Sequence, residues 1–433
     1  MSPVYWSPLI HVYQPPTQKP YILKKIDEEC YRPLFHVIDE SPNARITLNI
    51  NGVLIDLLYE HGLGETVELL KKIVHDGKVE IVGTAKYHPL MPLIPLKENF
   101  RQIELNEVTH KATFGEEWER KGFFPPEMAI SPEVLKIIQQ AGYQWVIGSG
   151  IACTDAWPYD VVHQLSNGLM MFYRDDIVSN EVSFSKLNAQ GFVSKITRMY
   201  SCDDYYVITA QDGETFGHHI KHAEQTFLKK TFDLIAEDDG VEICFVTDLI
   251  QKFPVVEASA PRPSSWSTNM GDINYGVHYP LWKHPDNPIH NIQYRILDHV
   301  SELMDALDTC SDATLCNDPA YLDYKNTARY FYDIGVHSCQ FWWASGNPMW
   351  SPNLILDGAD LLVKAAVNAR LALGKLKDIK SQELLEDVSM YYSRLLWTIT
   401  EQEAQRDRLR LLPPDNVQEV SEEEEKNVEG DSN

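Results

Sequence analysis

Two acidic residues, far apart in the chain, follow runs that the sequence predicts to be strands. Asp212 follows an aromatic and β-branched run at 205–210, which is typical of a buried strand. Glu127 follows two prolines that close a short apolar run at 122–124. Each acid precedes a predicted helix, and α/β proteins place catalytic groups at such strand ends. Two carboxyls in one pocket are what glycoside hydrolysis uses, one at the anomeric centre and one to protonate the leaving oxygen.

Each acid also has a purely structural interpretation. Asp212-Gly213 is an ordinary turn pair, and an acid near a helix N-terminus, such as Glu127, is favoured by the helix dipole. Glu214 is an alternative to Asp212, because residues two apart on a strand point the same way. Since Gly213 is expected to end the strand, Asp212 is the preferred candidate.

The histidines support two further hypotheses. His11 and His88 are predicted at strand ends, where neutral polar groups could hydrogen-bond a substrate. His218 and His222 are four residues apart at the start of a helix predicted over 219–236, so they could share a helix face. Together with Asp212 they would then make a possible metal site. Most such histidine pairs are ordinary surface or core residues.

Tryptophans in the second half of the chain are candidates for sugar contacts. Flat indoles offer hydrophobic and C–H contact to sugar rings, although core packing explains many buried aromatics equally well. The candidates are Trp266, Trp342 and Trp343, with Trp282 and Trp350 nearby in the sequence.

Strand and helix patterns alternate over the first 250 residues. About seven usable strands precede Phe253, and they predict βα units on a parallel sheet, either open or closed into a barrel. The patterns do not decide between seven and eight strands. We expect a catalytic domain over 1–255, an aromatic-rich connector and helical domain over 256–410, and an acidic disordered tail over 411–433.

Composition narrows the classes of partner. The formal charge of −25 argues against a nucleic-acid partner and is compatible with a neutral sugar. We expect no membrane segment, because no run approaches the ~18–20 apolar residues that a span needs. The N-terminus lacks a secretory signal pattern, and the seven cysteines lack any Cys-x-x-Cys pair, so a cytoplasmic protein with reduced thiols is expected. Neither a dinucleotide fingerprint nor a P-loop is present, and no cofactor is expected.

Five sequence blocks, taken in order, resemble family 57 of the glycoside hydrolases, the α-amylase and 4-α-glucanotransferase group. The first block has two residues inserted into the family's His-Gln-Pro, and the second carries His88 where the family often has Glu. The blocks are His11-Val12-Tyr13-Gln14-Pro15, residues 83–92, Phe124-Pro125-Pro126-Glu127-Met128-Ala129, Asp212-Gly213-Glu214-Thr215-Phe216-Gly217 and residues 337–343.

This resemblance implies an α/β fold, an incomplete (β/α)7 barrel followed by a helical bundle domain. It also implies a retaining reaction on an α-glucan or maltooligosaccharide without a metal in the chemistry. Glu127 would be the nucleophile and Asp212 the acid/base, facing each other at about 5–5.5 Å. The expected substrate-binding residues are His11, Gln14, His88, Glu214, Trp266, Trp342 and Trp343.

Two alternatives remain open from the sequence. One is a metal-dependent, deacetylase-like hydrolase that uses Asp212, His218 and His222 as ligands on a similar barrel. The other is a catalytically silent carbohydrate-binding protein. The sequence does not predict the oligomeric state.

Overall fold

The computed structural model describes residues 4–200, 204–238, 240–310, 317–374 and 379–411. The acidic tail that the sequence predicts lies, apart from its first residue, outside these ranges. The chain forms two compact units, Met1–His284 with Tyr332–Trp342, and Pro285–Phe331 with Trp343–Asn433. The aromatic-rich segment that follows residue 255 therefore groups with the strands, and a short later segment joins it there.

The described part of the first unit contains ten strands. They are β1 Val4–Val12, β2 Ile46–Ile50, β3 Val79–Ile81, β4 Gly122–Phe123, β5 Trp145–Ser149, β6 Val162–Gln164, β7 Met170–Arg174, β8 Tyr206–Asp212, β9 Val241–Ile243 and β10 Val255–Glu257.

Seven of these strands form an incomplete parallel barrel. β1 lies between β2 and β8, β2 pairs with β3, and β4, β5 and β7 are paired in that order. A parallel bridge from Gly83 to Phe123 joins the β3 side to β4. On the other side, the Asp175 N–H donates to the Ile208 carbonyl at 2.8 Å, which brings the end of β7 to β8. The expected (β/α)7 barrel is confirmed, and β6, β9 and β10 lie outside this ring.

The central strands are buried along almost their whole length. All five residues of β2 and six of the seven in β8 are buried. Burial on both faces is typical of parallel strands covered by helices, and in β2 it includes the polar side chains of Thr47 and Asn49. The parallel register places His11 opposite both Asn49 and Asp212, so polar side chains meet where these apolar strands end.

Helices cover the barrel and form the second unit. None of the helices in the described part of the chain is long and apolar enough to cross a membrane. In chain order they are α1 Pro20–Ile26, α2 Arg32–Glu40, α3 Gly52–Glu60, α4 Gly64–His75, α5 Leu96–Phe114, α6 Pro132–Gln140, α7 Asp176–Ser183, α8 Ala189–Ile196, α9 Lys230–Ala236, α10 Leu249–Lys252, α11 Met270–Asn274, α12 Pro288–Thr309, α13 Pro319–Gly335, α14 Cys339–Trp342, α15 Pro352–Leu373 and α16 Ile379–Leu411.

Local sequence explains several helix boundaries. Ser131 caps α6 by accepting a hydrogen bond from the Val134 N–H, and Pro132 occupies the first turn. Asp175 caps α7 in the same way through the Val178 N–H at 2.9 Å. π-helical turns, Asp27–Tyr31 and Glu224–Lys229, join α1 to α2 and precede α9.

The second unit, taken by itself, is helical. α12, α15 and α16 pack against one another. Alanines at 365, 366 and 369 are fully buried on α15, and their small side chains let neighbouring helices approach closely. This helical region matches the expectation for the C-terminal part of the chain.

Two helix boundaries depend on features that the sequence pattern does not show. The helix expected from His219 begins only with the turn at Glu224, because His222 has a left-handed backbone with φ 62°. Helix α13 ends at Gly335, and α14 begins only at Cys339. At that break the Ser338 N–H donates to the His88 carbonyl at 2.9 Å, so the chain leaves helical geometry to pair with the barrel loop.

Two glycines let large aromatic side chains cover the seam between β3 and β4. A Cβ on Gly83 would lie 2.2 Å from the Tyr143 hydroxyl oxygen, and a Cβ on Gly122 would lie 2.0 Å from the Trp145 ring. Trp145 is fully buried, and its indole N–H donates to the Thr247 hydroxyl at 2.9 Å. The ring is therefore held in place and cannot move aside easily.

We expect Gly122→Ala to destabilise the first unit by roughly 1–3 kcal/mol, because the added methyl overlaps a fixed, buried indole. Thermal or urea unfolding measures this change. Gly191→Ala, on α8, is the matched control and should change the free energy of unfolding by less than about 1 kcal/mol. An unaltered unfolding midpoint for G122A would contradict the packing described here.

Candidate active site

A cavity of about 540 Å³ lies in the first unit at the ends of β1 and β8. A larger cavity of about 710 Å³, beside β9, contains neither of the two predicted catalytic acids. The smaller one is lined by His11, Tyr13, Gln14, Glu127, Arg174, Asn180, Ser183, Phe184, Gln211, Asp212, Glu214, His219, Trp266, Ser267, Cys339 and Trp342.

Asp212 enters this cavity as the last residue of β8. It is partly exposed, whereas the six residues before it are buried. The register of β8 with β1 sets it beside His11. A strand end thus delivers this carboxyl to the cavity, in the position that the sequence predicted.

Glu127 reaches the cavity from an irregular turn after β4. Its backbone is left-handed, with φ 60° and ψ 17°, a conformation that a residue with a side chain rarely adopts. Such strain persists where the surroundings impose it, and it occurs often at functional sites. Here Trp266 holds the residue twice: its backbone N–H donates to the Glu127 carbonyl at 3.1 Å, and its indole N–H donates to Glu127 Oε2 at 2.8 Å.

Burial and a neighbouring charge change the acidity of Glu127. Burial, together with the negative charge of Asp212, raises the pKa of Glu127 to about 8. Hydrogen bonds from Trp266 and Ser338 act in the opposite direction, because donors stabilise the ionised carboxylate. The two predicted catalytic acids are therefore electrostatically coupled, as a pair sharing one pocket must be.

Glu214 is a third carboxyl on the same wall. Burial and the charge of Asp212 raise its pKa to about 7, whereas hydrogen bonds from Tyr31 and Gln14 lower it. The Tyr31 hydroxyl donates to Oε1, and Gln14 Nε2 donates to the same oxygen at 2.8 Å. Because the Gln14 amide donates this hydrogen bond, the side chain of Gln14 orients Glu214.

Two neutral histidines form an aromatic stack beside the acids. Nδ1 of His11 lies 2.5 Å from Asn49 Oδ1, and burial lowers the pKa of His11. His88 stacks on Tyr13 with ring centroids 3.9 Å apart. Burial lowers the pKa of His88 well below its ordinary value, and the neighbouring His11 adds to this effect. Both rings are therefore uncharged near neutral pH.

Most of the sequence-predicted residues meet in this one cavity. His11, Gln14, Glu127, Asp212, Glu214, Trp266 and Trp342 line it. His88 does not line it; it is buried behind Tyr13. Trp343 belongs to the helical unit, where it is buried, and it does not line the cavity either.

Several residues that line the cavity were not among those predicted from the sequence. Arg174 is the last residue of β7; its Nε–H donates to the Ala210 carbonyl at 2.8 Å, and its guanidinium lies 5.8 Å from the Trp266 ring. The same strand-end rule that selected Asp212 would have found it. Phe184 lines the cavity although its side chain is 70% exposed, and no local pattern distinguishes it from a surface residue.

The arrangement that the metal hypothesis required is not formed. The expectation that His218 and His222 share a helix face is wrong, because the helix begins after them and His222 is left-handed. His218 instead faces Glu29, with Nδ1 2.7 Å from Oε2. Among the residues that the structure describes, no group of three or more His, Cys, Asp or Glu is placed to hold a metal ion.

A comparison with protein-family models matches residues 6–260 to the model described as Glycosyl hydrolase family 57. The matched span is more than half of the chain and contains both Glu127 and Asp212. The chain belongs to glycosyl hydrolase family 57.

Two curated relatives match the barrel region of this family 57 protein. An alpha-amylase of Pyrococcus horikoshii is 27% identical over 258 residues, which are 56% of this chain and 40% of the relative. A 4-alpha-glucanotransferase of Thermococcus kodakarensis is 24% identical over 261 residues, 56% of this chain and 38% of the relative. The match spans about two fifths of the length of these relatives.

Solved structures resemble the family 57 chain over most of its length. A GH57-type branching enzyme from Pyrococcus horikoshii has a TM-score of 0.69 at 14% identity, covering 90% of this chain and 94% of its own. An exo-type maltose-forming amylase from a Pyrococcus species has a TM-score of 0.70 at 12% identity, covering 95% of this chain and 86% of its own. At these identities the likeness shows the fold.

The raised pKa of Glu127 predicts how stability depends on pH. Between its ordinary value of 4.5 and about 8, the folded state binds more protons than the unfolded state, so the free energy of unfolding falls as the pH rises. Glu127→Gln removes this titration. We expect E127Q to match the parent near pH 4.5 and to exceed it increasingly up to pH 8, by roughly 1.4 kcal/mol per pH unit at most.

Urea unfolding across this pH range measures the difference. Glu104→Gln, at an exposed position on α5, is the control and should follow the parent at every pH. Parallel curves for E127Q and the parent would mean that Glu127 ionises in the folded protein as it does in water.

Proposed function

We propose that this family 57 protein is a retaining glycoside hydrolase or transglycosylase that acts on α-linked glucans. The observation that carries the proposal is the meeting of Glu127 and Asp212 in one cavity, from separate elements of the barrel. Relatives named alpha-amylase and 4-alpha-glucanotransferase support an α-glucan as the substrate class. A neutral sugar also suits a chain whose formal charge is −25.

The reaction is a double displacement. Glu127 attacks the anomeric carbon while Asp212 donates a proton to the departing oxygen, which gives a glycosyl-enzyme ester. Asp212, now ionised, takes a proton from water or from a sugar hydroxyl, and the oxygen of that acceptor displaces Glu127. Water as the acceptor gives hydrolysis, and a sugar hydroxyl gives transfer.

Attack requires Glu127 to be ionised, although burial and the charge of Asp212 raise the pKa of Glu127 to about 8 in the free protein. Attack proceeds from the arrangement in which Glu127 is ionised and Asp212 carries the proton. The donors on Glu127 keep this arrangement within reach, because they stabilise its carboxylate against burial and the charge of Asp212.

Neutral groups on the cavity wall bind the sugar. His11 is uncharged and its Nδ1 faces Asn49, so its Nε2 is left to accept a hydrogen bond from a sugar hydroxyl. Trp342 offers an indole to a sugar ring. Trp266 positions Glu127 and does not stack on the sugar, because its indole N–H donates to Glu127 and the Arg174 guanidinium lies over its ring.

Substrates with different leaving groups separate the roles of the two acids. An activated aryl α-glucoside needs little protonation at its leaving oxygen, so Asp212→Asn should lose less activity on its first step than on a maltooligosaccharide. Glu127→Gln should lose several orders of magnitude on both, because no nucleophile remains. Burst and steady-state kinetics measure these losses. Equal losses for D212N on the two substrates would remove the acid/base assignment.

Product sizing decides between hydrolysis and transfer. The parent protein is incubated with maltoheptaose, and the products are sized before and after treatment with a debranching enzyme. Products longer than the substrate mean transfer, and those that shorten on debranching carry new branches. Shorter products alone mean hydrolysis. Glucan binding without any turnover by the parent would favour the catalytically silent alternative and end this proposal.

A further inference from the structure

Helix α7 contributes to two cavities of the first unit. Asn180, Ser183 and the C-cap residue Phe184 line the cavity that holds the two predicted catalytic acids. Asp176 and Ile177, in the first turn of the same helix, line a second cavity of about 530 Å³. The two cavities therefore adjoin each other along one helix of eight residues.

Two large apolar side chains are exposed along this helix, one at each cavity. Ile177 is 69% exposed and Phe184 is 70% exposed, with the exposed Asn180 between them. Positions 177, 180 and 184 follow the i, i+3, i+7 spacing, so they share one face, which we call the α7 face. A single exposed apolar residue is ordinary, but two that border cavities on one face are typical of a binding surface.

Arg174 fixes the polar groups on and beside the α7 face. Its Nη2 donates to Asn180 Oδ1 at 2.8 Å, and its Nη1 donates to Asp176 Oδ1 at 2.9 Å. Because the Asn180 oxygen accepts this bond, the amide nitrogen is left to donate to a ligand. The α7 face thus presents an oriented hydrogen-bond donor between two apolar side chains.

The second cavity is lined mainly by aromatic and apolar side chains. Trp157, Met199 and Tyr200 lie there with Ile177. The Tyr200 ring stacks on Tyr159 with ring centroids 4.1 Å apart, which holds it in a defined orientation. Flat rings beside a few polar groups suit a ligand that has both apolar C–H faces and hydroxyls, as a sugar ring has.

The charged groups of the second cavity all have partners within the protein. Asp175 accepts from the Val178 N–H at 2.9 Å, Asp176 is paired with Arg174, and Lys195 is paired with Glu181. Charges that are already matched in this way contribute little to binding an ionic ligand. The lining therefore favours a neutral ligand over an anion or a cation.

We propose that the α7 face and the second cavity extend the catalytic cavity and bind further sugar residues of the same α-glucan chain, so that long chains are preferred to short ones. This inference rests on the proposed function, which supplies the glucan. Ile177 and Phe184 are seven residues apart, about 10 Å along the helix, so one sugar ring cannot contact both. A chain that leaves the catalytic cavity beside Phe184 reaches Ile177 only after several sugar residues.

The first test is the dependence of kcat/KM on substrate length for Phe184→Ala and Ile177→Ala, from maltotriose through longer maltooligosaccharides to amylose. We expect F184A to lower kcat/KM on long chains by about 3- to 10-fold, because a ring contact to sugar is lost, and to cost less on maltotriose. I177A should lower it by about 3-fold. Its effect should begin only at a greater chain length than that of F184A.

Two exposed apolar residues outside both cavities provide matched controls. Tyr21 on α1 is 74% exposed and Val108 on α5 is 68% exposed, much as Phe184 and Ile177 are. Tyr21→Ala and Val108→Ala remove similar side chains, so we expect kcat/KM to equal that of the parent at every substrate length. All four variants alter exposed side chains, and their folding is checked by thermal unfolding.

A second readout does not depend on turnover. Calorimetry measures how tightly Glu127→Gln binds maltotriose and longer maltooligosaccharides, with and without F184A and I177A. We expect affinity to rise with chain length, and both substitutions to remove most of that rise.

The outcomes separate this inference from the proposed function. Equal losses at every chain length, or long-chain binding that neither substitution weakens, would overturn the extension and leave the α7 face for a protein partner. An I177A effect that begins at shorter chains than the F184A effect would also overturn it. Chain-length-dependent binding in a parent that turns over no glucan would defeat the proposed function alone, and a complete lack of glucan binding would defeat both.

Discussion

Repulsion among the carboxyls of one cavity is the constraint that organises this site. Glu127 is partly buried and Glu214 is buried, and the charge of Asp212 raises the pKa of both. Like charges in a medium of low dielectric constant cannot all be ionised without compensation. The protein compensates with neutral donors: the Trp266 indole N–H donates to Glu127, and the Tyr31 phenol and the Gln14 amide donate to Glu214.

The fold brings the two principal acids together by different means. Asp212 is placed by strand register, because β8 pairs with β1 along its whole length and ends beside His11. Glu127 is placed by a strained turn that Trp266 fixes at both backbone and side chain. A barrel seam closed by glycines positions that turn. Register tolerates many sequences, whereas the turn depends on a few specific contacts.

This difference explains what could be predicted from the sequence. The strands, Asp212 and Glu127 could be predicted because apolar, β-branched runs indicate strands and the adjacent glycine or prolines indicate where the strands end. The closure of seven strands was not, since it rests on one bridge at Gly83 and one hydrogen bond near Asp175. The helix start near His222 was misplaced because its left-handed backbone has no signal in the residue type.

A neutral donor suits the role that we propose for Glu127. A cation next to Glu127 would keep it ionised at every working pH, but it would also stabilise the ground-state carboxylate and reduce its tendency to attack. Without any donor, burial and the charge of Asp212 would favour the protonated form of Glu127. The Trp266 indole N–H lies between these limits, because it stabilises the carboxylate without bringing a positive charge into the cavity.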